Sequence, residues 1–166
     1  MSVIETVVAL AKPWADFYAD STPVGTAVTF LHIGGIMVGG GFAMTSDRAA
    51  LGAVKGSDED RRRILRDFGA IHRPVLTALT VVVASGVAMM LADAETLLVS
   101  PVYYTKIGMF TLLLANGWMV RETERNLVTD PTAGNKLWGR FTLGARASIA
   151  LWLMTAFVGV ALTTSA

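Results

Sequence analysis

Four apolar stretches, at about residues 24–45, 68–91, 102–120 and 146–163, dominate this chain and restrict what it can fold into. Each is close to the ~20 residues that carry an α-helix across a ~30 Å hydrocarbon core. Lipid offers no partner to a free N–H or C=O, so a segment that crosses it must satisfy its own backbone as a helix. Together the four stretches take about half of the 166 residues and leave short connections and one N-terminal segment. The sequence therefore predicts an all-α chain, a four-helix transmembrane bundle forming a single integral membrane domain over 1–166. Composition agrees, because only 16% of residues are charged where a soluble domain carries about 25%. The first partner of such a chain is the lipid bilayer.

Charge placement predicts how the bundle sits. Seven Lys and Arg fall between Arg48 and Arg73 and five between Arg121 and Arg146, while the opposite side holds only Lys12 and Lys106. By the positive-inside rule both basic connections are cytoplasmic, and both termini are extracytoplasmic. The net charge of +1 hides no basic domain, so no nucleic-acid partner is expected. Absence of cysteine excludes disulfides, thiolate metal sites and iron–sulfur clusters.

Residues 1–20 read as an interfacial amphipathic helix rather than a signal peptide, since Glu5 interrupts the apolar run and no basic segment precedes it. Val3, Val7, Leu10, Trp14, Phe17 and Tyr18 share one face, and Glu5, Lys12, Asp16 and Asp20 the other. Pro13 is expected to kink or restart it. Ser21, Thr22 and Pro23 signal the start of the first span, and Ser57 with the acidic run 58–60 signals the start of the second helix.

The chemistry that the chain can offer centres on few residues. Its two histidines, His32 and His72, both lie at or inside the expected membrane, where an ionisable group is a functional suspect. His32 heads a strip that continues through Gly35, Gly39 and Ala43 on one helical face. A flat porphyrin suits such a strip, because the imidazole can ligate iron while the macrocycle lies on bare backbone. The competing reading is helix packing, since Gly35 and Gly39 also form a small-residue association motif. His72 is expected about 12 Å from the depth of His32. It is a candidate metal ligand, and beside Arg73 it reads equally as an interfacial pair.

Lys106 enters the third span near the depth of His32. It can snorkel to the headgroups, ligate the iron as a neutral amine, or hold a haem propionate as a cation. Met89, Met90 and Met109 share that outer third, and thioethers can complete a haem or bind copper, although core filling explains them as well. Trp118, Arg121, Glu122, Glu124 and Arg125 read as an aromatic belt and surface ion pairs at the inner end of the third span.

Two short motifs resemble those of CopD-like and HemJ-like four-helix bacterial membrane proteins. They are the run Leu31, His32, Ile33, Gly34, Gly35, and a third span that opens with Lys106 and continues into Leu112, Leu113 and Leu114. The resemblance covers about residues 24–125. It implies a bacterial inner (cytoplasmic) membrane protein with b-type haem, His32 as axial ligand and Lys106 nearby. On this reading the protein serves electron transfer or a haem-dependent membrane oxidoreduction. A non-catalytic small subunit, packing by glycine faces in a larger membrane complex or a homo-oligomer, is one alternative. A copper-handling protein that uses His32 and the outer methionines is the other.

Overall fold

The computed structural model describes residues 2–130 and 134–165, and among them every regular element is helical. Helix α1 covers Val3–Asp20, α2 Thr22–Ala53, α3 Asp58–Ala92, α4 Ala94–Leu97, α5 Pro101–Thr129 and α6 Gly134–Ser165. The all-α expectation therefore holds. Helices α2, α3 and α6 are long and apolar enough to cross a membrane. Helix α5 matches them in length, but Tyr103, Tyr104, Lys106 and Asn116 dilute its apolar stretch, and by composition alone it does not join them.

Each long helix outruns the apolar stretch that located it. A 32-residue helix such as α2 extends about 48 Å, well beyond a ~30 Å hydrocarbon core. The ends are set by capping. Ser57 accepts the Asp60 N–H while the Asp60 carboxylate accepts the Ser57 N–H, so α3 begins ten residues before the apolar stretch at 68–91. Ser100 caps α5, with Pro101 in its first turn, where a missing N–H costs nothing. Residues 46–53, which lie beyond the apolar stretch at 24–45, are the last two turns of α2. Helix α1 is continuous through Pro13 and does not restart there.

The chain runs up and down. Helices α2 and α3 pack along each other, α5 and α6 do the same, and α2 also lies on α6. The fourth side is different, because α3 and α5 touch only sparsely. Helix α1 lies across the end of the molecule that carries α4, against α2, α3 and α4, where the indole of Trp14 donates to the Ala88 carbonyl at 2.8 Å.

Packing differs along the helices. At the end opposite α4, Leu65, Phe68, Val120, Leu127, Trp138 and Phe141 form a buried cluster, with the Phe68 and Phe141 rings 5.2 Å apart and the Arg61 guanidinium over Trp138 at 5.4 Å. In the apolar stretches, close approach depends on glycine. A Cβ on Gly35 would stand 2.8 Å from Val82 and 3.2 Å from the Ala78 carbonyl oxygen, and one on Gly144 only 2.5 Å from Val120. Outward-facing side chains are apolar and bare, as at Phe30, Met37 and Phe157, each more than 70% exposed. Such a surface matches contact with lipid.

Candidate functional site

His32 is buried on α2 and reaches across to α3. Its Nδ1 lies 3.1 Å from the Val82 carbonyl oxygen and 3.0 Å from Ser85 Oγ. A carbonyl only accepts, so Nδ1 carries the proton. Ser85 spends its own hydroxyl proton on the Val81 carbonyl at 2.6 Å and presents a lone pair to the same Nδ1–H. In the neutral ring the unprotonated nitrogen is then Nε2. The geometry is that of an imidazole oriented by its outer nitrogen, as metal-ligating histidines usually are.

His32 borders a cavity of about 210 Å³ in the half of the molecule near α4. Val82, Gly86 and Val87 of α3, Lys106 and Phe110 of α5, and Trp152 of α6 are among its walls. A Cβ on Gly86 would lie 3.2 Å from His32 Cε1, so that glycine makes room for the imidazole. Lys106, 74 residues beyond His32 in sequence, faces the same space. Thr155 lines it too, and its buried Oγ1 has no hydrogen-bond partner. A buried hydroxyl left unpaired is costly, which favours an occupant with a polar edge.

The glycine strip takes another role. Gly35 and Gly39 are buried under Ala78 and Val82 of α3, and the Trp152 indole closes over Gly39 and Gly40. These contacts match the packing reading and leave no bare face there for a macrocycle. A porphyrin would have to enter the seam between α3 and α5, where the donor set is His32, Lys106 and the Thr155 hydroxyl and the remaining walls are apolar. That donor set offers one imidazole for an iron and one cation for a propionate, in a space of about 210 Å³ that a haem would have to widen along the seam.

His72 does not join His32. It borders a second cavity of about 220 Å³, in the half of the molecule away from α4. Val82 and Ser85, which hold His32, are ten and thirteen residues from His72 along α3, or about 15–20 Å. Its Nδ1 donates to the Phe68 carbonyl at 2.9 Å, and its Nε2 lies 3.4 Å from Glu124 Oε2. Met89, Met90 and Met109 are absent from the walls of the His32 cavity. Trp152 borders both cavities and stands between them.

Two acidic residues have a place that the sequence did not signal. Glu124 is buried rather than on a surface belt. Asp47 lies in the last turns of α2 with 3% exposure and faces the second cavity. The available clue was an acid at the end of an apolar stretch among basic neighbours, which ordinarily marks a solvated face.

Comparison with protein-family models, with curated proteins and with solved structures finds no match to this chain.

Proposed function

We propose that the chain is a four-span protein of the bacterial inner membrane, with both termini outside, that binds b-type haem through His32 and serves electron transfer or membrane oxidoreduction. The observation that carries this reading is the orientation of His32. Its Nδ1–H is committed to Val82 and Ser85, which leaves Nε2 as the unprotonated nitrogen of a residue that lines a cavity shared with Lys106. The same seam offers apolar walls and an unpaired Thr155 hydroxyl. The short motifs shared with CopD-like and HemJ-like proteins point the same way. The fourth span is α5, packed along α6, its Lys106 turned toward the cavity. Haem bound there would supply one-electron chemistry, and the protein the ligand, the orientation and a dry pocket.

The visible spectrum of detergent-purified protein tests the reading. A Soret band is expected, lost in His32→Ala and kept in His72→Ala. Folded protein that shows no Soret band even after reconstitution with haem would overturn it.

A further inference from the structure

We propose that the second cavity, in the half of the molecule away from α4, binds a lipophilic quinol that enters sideways from the bilayer and donates a hydroxyl hydrogen bond to Asp47. This site is separate from that of His32, and the inference does not rest on the haem reading.

The floor of the cavity is polar and incomplete. Ser46 and Asp47 are each only 3% exposed. Ser46 Oγ and Asp47 Oδ2 have no hydrogen-bond partner, although both residues line a space of about 220 Å³. The Ser148 hydroxyl of α6 lies against the Asp47 carboxyl and leaves the second carboxylate oxygen unserved. A buried carboxylate oxygen without a donor is among the most costly groups that a protein can keep. An occupant that completes this floor must therefore donate a hydrogen bond.

The mouth and the walls narrow the class further. Leu76 of α3 and Leu114 and Trp118 of α5 line the opening and are 43–74% exposed on the outward faces of their helices. Because α3 and α5 touch only sparsely, the opening lies between them, and it is apolar except for Arg121, which is exposed on the lining one turn beyond Trp118. A ligand passing it arrives from lipid. Inside, the aromatic side chains of Phe68 and Trp152, both nearly buried, border the space, and flat rings pack well on such faces. A phospholipid headgroup leaves the floor incomplete, since its phosphate has no proton to donate to the Asp47 carboxylate and would be drawn instead to the exposed Arg121 on the lining. A neutral, flat ring with an O–H donor and an apolar tail satisfies floor, walls and mouth together.

The full-length protein, purified in detergent and stripped of lipid, is titrated anaerobically with a short-tailed benzoquinol kept reduced. Binding is read as quenching of tryptophan fluorescence, because Trp118 and Trp152 both border the cavity. Saturable quenching is expected. The dimethyl ether of the same ring, which has no O–H, is expected to bind at least about tenfold more weakly. Asp47→Asn should weaken binding by a similar factor. Gly117→Leu adds a side chain on the cavity lining where no other atom lies within 4 Å, so it should obstruct the cavity without disturbing the fold. Gly108→Leu, on the same helix but bordering neither cavity, should bind like the wild type. Absence of saturable quenching, an ether that binds as tightly as the quinol, or undiminished binding in Gly117→Leu would each overturn the proposal.

Discussion

His72 Nε2 stands 3.4 Å from Glu124 Oε2, and this contact joins α3 to α5 on the side where those helices otherwise barely meet. The other imidazole nitrogen already donates to Phe68, so a hydrogen bond between Nε2 and the carboxyl requires one further proton, held by either partner. Removing Glu124 as Glu124→Leu ends that bond and is expected to destabilise the protein by about 3 kcal/mol, as loss of one partner of a buried pair does. Glu124→Gln should cost much less, because an amide N–H can donate to the neutral imidazole. Chemical unfolding of both variants in detergent decides the matter. Equal losses would mean that the contact contributes only packing.

Glycine placement makes a second prediction. The Cβ introduced by Gly35→Ala would fall 2.8 Å from Val82 Cγ2 and 3.2 Å from the Ala78 carbonyl oxygen, so α2 and α3 must separate to admit it. Overpacking of this kind costs about 1–3 kcal/mol. Gly34→Ala and Gly41→Ala meet no atom within 4 Å and should leave stability unchanged or slightly raised. Thermal unfolding of the three variants in one detergent gives the comparison. A common shift in all three would place the effect in helix propensity rather than in the α2–α3 contact.

Ser85 offers a graded test of how His32 is held. Ser85→Ala removes one of two acceptors on Nδ1–H and leaves the Val82 carbonyl in place. Loss of such an outer hydrogen bond commonly weakens a ligated metal group 10–100-fold. Haem transfer to a competing apoprotein should therefore be about tenfold or more faster in Ser85→Ala, with the Soret band still present. An unchanged transfer rate would show that Val82 alone orients the ring.

Much of the fold was legible in the sequence, because lipid imposes a length and a polarity on whatever crosses it. Apolar runs located the helices, and Ser21 with Pro23 and Ser57 with its acidic run marked where two of them begin. What the runs could not give is where helices end, since a helix continues past the bilayer as long as packing and capping sustain it. Asp47 falls beyond the apolar run at 24–45 for that reason, although α2 continues past it. Its surroundings include Ser148, 101 residues further along the chain, and a cavity wall that no local pattern encodes. His32 and Lys106 were both singled out from expected depth, and one cavity holds them. The glycines beside His32 were ambiguous because close backbone approach serves a macrocycle and a neighbouring helix equally. Val82 and Trp152 decide their role here, and neither is adjacent in sequence.

Topology is open to a direct test because the chain has no cysteine and single ones can be introduced cleanly. Lys55 follows α2 in the turn before α3, and Glu95 lies in α4 at the opposite end of the molecule. Both side chains are polar and at least partly accessible, so neither change disturbs packing. If charge bias orients the bundle, the connection holding Lys55 faces the cytoplasm, because it belongs to a region with seven basic residues. In intact spheroplasts a membrane-impermeant maleimide should then label Glu95→Cys and spare Lys55→Cys until the membrane is opened. An additional cysteine at Asp130, after α5, should behave like Lys55→Cys if α5 crosses the membrane, and like Glu95→Cys if it does not. That third label separates a four-span chain from one with three spans, which helix length and hydropathy alone leave undecided for α5.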